Sequence, residues 1–212
     1  MPKITKIETQ ESAARFNIYI DYKFAVGIGE DLLVQEELKA GKELGPEQIQ
    51  DLVYKSKMEK MVDAALNMLG YRPRSKQEIR NKLWKKVSRL KLQKDLRSGL
   101  IEKTLNKLEE RGYLDDFDFA SWWVEERIRS RPRGKLLLRS ELLEKGVENK
   151  IIDRVLKMHS QEDERSLAER LLKKKSNRYK NYEAKKRKEK LVAYLQRRGF
   201  SWVIIESVME GF

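Results

Sequence analysis

Arg72-Pro73-Arg74-Ser75 opens a stretch that runs to Leu83, and Arg131-Pro132-Arg133-Gly134 opens a second that runs to Leu142. A looser third, Glu183-Ala184-Lys185-Lys186, runs to Leu195. In the second and third copies a step of 13 residues follows, from Leu142 to Val155 and from Leu195 to Val208. The first copy takes 22 residues from Leu83 to Leu105, so it carries an insertion near Ser88 to Arg97. Repetition at this spacing describes helical units that stack, because a single short unit cannot bury its own apolar face. It argues for an array with a long surface and against one globular enzyme core.

Each copy reads as three helices. Ser75 with Glu78, and Ser160 with Asp163, have the spacing of a capping box and mark helix starts. Ile79, Leu83 and Val87 form one apolar stripe; Leu100, Ile101, Leu105 and Leu108 form the next, on a helix from about Gly99 to Arg111. In the second copy Phe119, Ala120, Trp123, Val124 and Ile128 precede Leu138, Leu142 and Leu143, then Ile151, Ile152, Val155 and Leu156. Leu167, Ala168, Leu171 and Leu172 fall at the positions of Phe119, Ala120, Trp123 and Val124, followed by Leu191, Tyr194 and Leu195 and then Val203, Ile204 and Val208. Gly70-Tyr71, Gly112-Tyr113, Gly146-Val147 and Gly199-Phe200 each read as a glycine helix stop with an apolar residue folding back.

Upstream the period changes from helical to two. Phe16, Ile18 and Ile20 alternate, as do Phe24, Val26 and Ile28, around Asp21-Tyr22-Lys23, which predicts a hairpin. Ile4 and Ile7 supply a third strand, and a helix from Asp31 to Lys39 covers the sheet. Pro46 suits the first turn of a helix that starts near Glu47 or Met58 and ends at Leu69. The fold class expected is mainly α: tandem three-helix repeats in an elongated arc, preceded by a small N-terminal β segment with a helix. The boundaries read as 1–56 for that segment, then repeats at 57–112, 113–159 and 160–212.

The 212 residues carry 47 Lys and Arg against 34 Asp and Glu, a formal net charge of +13. The excess is local: residues 1–56 are net −3, whereas 72–94 are net +9 and 165–198 are net +11. Such concentration attracts polyanions, and its effect weakens with salt. No apolar run approaches the roughly 20 residues of a membrane span, and the N-terminus lacks a secretory apolar region, so a cytoplasmic location is expected. With no Cys and one His, thiolate catalysis, Cys-ligated zinc and most imidazole chemistry are absent.

Candidate binding residues follow from the repeats. Arg72, Arg74, Lys76 and Arg80 cluster at the start of one helix, and Arg131, Arg133, Lys135 and Arg139 at the matching place in the next copy. A solvated helix face explains one such cluster; its recurrence favours contact with phosphates or an acidic surface. Lys173, Lys174, Lys175, Arg178, Lys185, Lys186, Arg187 and Lys188 form the densest run, interleaved with Tyr179 and Tyr182. Those tyrosines either stack on bases or pack internally. Asp115, Asp116 and Asp118 resemble a metal cluster only superficially, because they precede a helix and suit capping. Trp84, Trp122, Trp123 and Trp202 read as core or interface anchors. No nucleophile with a paired base and no phosphate-binding loop is present, so no cofactor, metal or enzymatic activity is expected.

Tyr71-Arg72-Pro73-Arg74-Ser75 with Glu78 and Leu83, then Leu108-Glu109-Glu110-Arg111-Gly112-Tyr113-Leu114-Asp115-Asp116, Phe119-Ala120 and Lys145-Gly146-Val147, resembles the RecX family. The likeness covers residues 58–158 closely and 160–210 loosely, and the N-terminal strands are similar to the extra segment of longer members. The insertion near Ser88 to Arg97, the Trp122-Trp123 pair and about five added residues in the third copy depart from it. The resemblance implies a non-enzymatic regulator that binds the RecA–DNA filament and inhibits its ATPase and strand exchange; a monomer is expected. It places the chain in homologous recombination, DNA repair and the SOS response, with auxiliary binding of single- or double-stranded DNA. The alternative is a general DNA- or RNA-binding protein without sequence specificity; a helix-turn-helix transcription factor and a metal nuclease are weaker readings.

Overall fold

The structure, a computed structural model, describes residues 1–11, 15–88 and 94–211. Residues 89–93, in the expected insertion, lie outside them. The chain divides into two compact units, Met1–Tyr71 with Arg80–Tyr113, and Arg72–Ile79 with Leu114–Phe212.

The first unit begins with an antiparallel sheet of β1 (Ile4–Thr9), β2 (Arg15–Ile20) and β3 (Lys23–Gly29) in that order. Ile18 faces Val26 and Phe16 faces Ile28 across β2 and β3, while Ile4 faces Ile20 across β1 and β2. The period of two thus puts Ile4, Ile18, Ile20, Val26 and Ile28 into one core. Asp21 and Tyr22 both take positive φ, 48° and 63°, the backbone that matches a tight hairpin to strand twist. Helix α1 (Glu30–Gln35) is shorter than the expected Asp31–Lys39. Glu37 turns left-handed at φ 46°, and the N–H of buried Leu38 donates to Leu33 O at 3.0 Å, so burying Leu38 ends the helix.

Helix α2 spans Pro46–Tyr71 without a break, longer than expected. It lies against the sheet: Ser56 Oγ donates to Gly27 O at 2.7 Å, and Glu59 accepts from the Gly29 N–H at 2.9 Å. Gly70 is not a stop. It stays helical, and the chain breaks only before Pro73, which lacks an N–H and disfavours a helical residue ahead of it. Helix α3 (Lys76–Val87) contributes its later turns to this unit, and α4 (Lys94–Glu110) begins five residues before the expected Gly99. Leu83, Val87, Leu100, Ile101, Leu105 and Leu108 are buried.

The second unit holds α5 (Asp116–Ser130), α6 (Lys135–Glu144) and α7 (Asn149–Lys157), then α8 (Gln161–Ser176), a 3-10 turn (Asn177–Tyr179), α9 (Ala184–Arg197) and α10 (Trp202–Met209). The second trio, α5 to α7, closes on Phe119, Ala120, Val124, Leu138, Leu142, Ile152 and Val155. The third trio, α8 to α10, closes on Leu167, Ala168, Leu171, Leu172, Leu191, Leu195, Ile204 and Val208. Ile128 packs against both cores. Gly146 and Gly199, at φ 75° and 79°, close α6 and α9 as read from the sequence. The following Val147 and Phe200 N–H groups reach back to Leu142 O and Leu195 O at 3.1 and 3.3 Å.

Candidate functional site

The recurring Arg-Pro-Arg strings sit at helix starts that receive the next trio. Ser75 Oγ accepts from the Glu78 N–H at 3.1 Å, capping α3, and donates to Lys145 O at 2.6 Å. The Lys76 N–H donates to Asp116 Oδ1 at 2.8 Å. One repeat on, the Lys135 N–H donates to Glu164 Oε1 at 2.9 Å. Asp116 and Glu164 hold the same place, three residues before Phe119 and Leu167. An acid at the start of each incoming trio therefore satisfies an orphan amide at the helix N-terminus it meets. This docking role was missed in the sequence, where Asp116 reads only as a helix-start residue; the matched offset of Asp116 and Glu164 is the signal that carries it.

Main chain completes the second junction. The Gly134 N–H donates to Arg198 O at 2.8 Å and the Leu136 N–H to Gly199 O at 3.1 Å. Arg198 donates to Pro132 O at 3.0 Å, and Lys135 Nζ to His159 O. A Cβ on Gly199 would lie 2.5 Å from Leu137 N and 2.9 Å from its Cα, so this turn is bare because a backbone passes over it.

These contacts redistribute the expected cations. Arg72 holds Glu78 through both carboxylate oxygens, at 3.0 and 3.1 Å, and Lys145 reaches the same group at 3.1 Å. Burial pushes the Glu78 carboxyl up, but Arg72 and Lys145 outweigh it and hold the group at about 2. Arg80 makes a forked pair with Glu102 at 2.8 and 2.9 Å. Arg139 pairs with Asp153 and reaches Asn149 at 3.3 Å. Buried Glu141 receives Trp123 Nε1 at 2.8 Å, Arg127 Nε at 2.9 Å, and Arg133. Burial lowers the Arg133 pKa, and the nearby Arg127, Arg198 and Arg131 lower it further. Arg74, Lys76 and Lys135 are half-buried, whereas Arg131 is exposed.

The third trio differs. Lys173, Lys174, Arg178, Lys185, Lys186 and Lys188 are exposed, and Lys175 and Arg187 half-buried. Among the described residues none of these eight has a carboxylate within ion-pair distance. They lie at the end of α8, in the 3-10 turn and in the first turns of α9, a stretch of cations without a carboxylate partner among the described residues.

The remaining candidates resolve locally. Asp115 Oδ1 accepts from the Phe117 and Asp118 N–H groups at 2.6 and 3.2 Å and caps α5. No group of acids or His among the described residues is arranged to hold a metal ion. Trp122 and Trp123 pack within about 6 Å of Phe119, at 6.1 and 6.0 Å between ring centres. Trp84 and Trp202 lie outside the core, 38% and 58% exposed. No helix among the described residues is long and apolar enough to cross a membrane.

Comparison with known proteins agrees along the whole chain. Residues 2–45 match the regulatory protein RecX N-terminal domain; 62–87, 115–156 and 162–209 match the first, second and third RecX three-helix domains. The regulatory protein RecX of Bacillus subtilis (strain 168) is 34% identical over 99% of this chain and 77% of its own length. That of Leuconostoc mesenteroides is 29% identical over 99% of this chain and 76% of its own. A crystal structure of regulatory protein RecX superposes with a TM-score of 0.78 at 30% identity, covering 99% of this chain and 100% of the other. With the three-helix repeats, the N-terminal sheet and these relatives in agreement, the chain belongs to the RecX family of regulatory proteins.

Proposed function

We propose that this chain regulates the RecA recombinase by binding its DNA filament, lowering ATP turnover and strand exchange by adhesion, without bond chemistry. The observation that carries the reading is the unneutralised field of Lys173, Lys174, Lys175, Arg178, Lys185, Lys186, Arg187 and Lys188 on a RecX-type trio. A nucleoprotein filament is a polyanion, and cations without internal carboxylates meet phosphate at no cost in broken ion pairs. Exposed Arg131 is a further contact in this reading. Arg72, Arg74, Lys76, Arg80, Arg133, Lys135 and Arg139 act in part through the helix starts they hold. Several such contacts made together add by avidity. In this reading the chain works as a monomer in the cytoplasm.

The test is ATP hydrolysis by RecA on single-stranded DNA with increasing amounts of this protein. Turnover falls at substoichiometric ratios; no change at equimolar protein overturns the proposal. The second reading, general DNA or RNA binding, rests on the same third-trio field. It gives equal affinity for scrambled duplexes and leaves filament ATPase unchanged once free DNA is saturated.

A further inference from the structure

The third trio carries an aromatic pair that the filament reading does not use. Tyr179 ends the 3-10 turn and packs against the core of its trio. Tyr182 follows, its N–H donating to Tyr179 O at 3.1 Å, and it is 40% exposed. The rings meet edge to face, 5.8 Å between centres at 77°. One ring is thus fixed by the core, and it holds the other at the surface.

Lysines converge on this pair. Lys190 Nζ lies 4.8 Å from the Tyr182 ring centre and 5.8 Å from that of Tyr179. Lys186 is 5.9 Å from Tyr182, and Lys175 is 5.8 Å from Tyr179. Among the described residues none of the three is paired with a carboxylate, although Glu183 and Glu189 are near in sequence and exposed. Like charges gathered on a ring pair with no counter-ion favour a ligand with both a flat π face and an anion. A nucleotide of an unpaired strand has both; a duplex hides the face in its own stack.

We propose that Tyr182, backed by Tyr179 and ringed by Lys175, Lys186 and Lys190, is a base-stacking site for single-stranded nucleic acid. The incoming base takes the exposed Tyr182 face, and the displaced Lys190 ammonium moves to the adjoining phosphate. The inference deepens the reading of the third trio as a polyanion surface and rests on it.

The probes are a fluorescent thymidine oligonucleotide, an abasic oligonucleotide of equal length, the corresponding uridine strand, and a duplex. The full chain binds the thymidine strand about tenfold more tightly than the abasic one, in the range of a single stacked base. Tyr182→Ala removes that preference and leaves abasic and duplex binding unchanged, whereas Tyr182→Phe restores it. Preference for uridine equal to that for thymidine is expected, since stacking ignores the 2′-hydroxyl. Equal binding of base-bearing and abasic strands by the unaltered chain overturns the proposal, as does Tyr182→Ala with the preference intact. The RecA ATPase titration is read separately. Inhibition without base preference sinks only the stacking site, and base preference without inhibition sinks only the filament reading.

Discussion

Replacing Gly199 with Ala tests the junction of the second and third trios. The residue sits at φ 79°, and a left-handed backbone costs a residue with a Cβ roughly 1–2 kcal/mol. The added methyl would lie 2.5 Å from Leu137 N and 2.9 Å from Leu137 Cα, against a backbone that cannot rotate away as a side chain would. Forced overpacking adds about 1–3 kcal/mol, so the total is roughly 2–5 kcal/mol. Gly112→Ala is the internal control. Its φ is 70°, but a Cβ there meets nothing within 4 Å, so only the backbone cost of about 1–2 kcal/mol remains. Urea unfolding followed by circular dichroism gives the two losses. Amide hydrogen exchange adds a local reading, because the Gly134 and Leu136 N–H groups donate to Arg198 O and Gly199 O and lose protection when that turn shifts. The two variants losing equal stability, with Gly134 and Leu136 still protected, would refute the close approach as the reason for glycine.

Glu78 ties the acid limb of stability to one junction. Its carboxyl falls from 4.5 to about 2 on folding, worth roughly 3 kcal/mol at about 1.4 kcal/mol per pH unit. A depressed folded value means that this stability is complete above pH 4.5 and is lost as pH falls toward 2; Glu78→Gln should flatten unfolding free energy over that window, and parallel curves for variant and parent count against it. Asp115→Ala removes the α5 cap and lowers stability by about 1 kcal/mol, read as a Tm drop of roughly 2–4 °C. Replacing Lys185, Lys186, Arg187 and Lys188 with Ala reduces the slope of log affinity against log salt for duplex DNA by about 0.9 per lost phosphate contact. An unchanged slope removes that patch from the interface.

Features set by neighbours in the chain were legible. The hairpin follows from alternation at Phe16–Ile20 and Phe24–Ile28, the Ser160 and Asp163 capping box from its spacing, and the stops at Gly112, Gly146 and Gly199 from glycine followed by an apolar side chain. Gly70-Tyr71 has the same pattern, yet the helix runs through it, because Pro73 sets the stop two residues beyond. What was not legible depends on partners brought close by folding. Arg80 finds Glu102 and Arg133 finds Glu141, so counting charges by segment overstates the cations free for a ligand. Segment counts gave the regions around Arg72 and Lys185 similar weight, whereas Arg72 and Arg80 are held by Glu78 and Glu102 and the cations around Lys185 have no carboxylate partner among the described residues. Asp116 and Glu164 were hidden for the same reason, since an amide donor many residues away is invisible to local spacing.

Where the second and third trios meet, the hydrogen bonds of Gly134 and Leu136 run from peptide to peptide. Every amino acid but proline offers those same atoms. That part of the seam is therefore written in a vocabulary that side-chain replacement does not touch, save at the glycines that let the two strands of backbone pass. Outward-facing positions can be re-dressed for a different partner while the stack beneath them keeps its spacing.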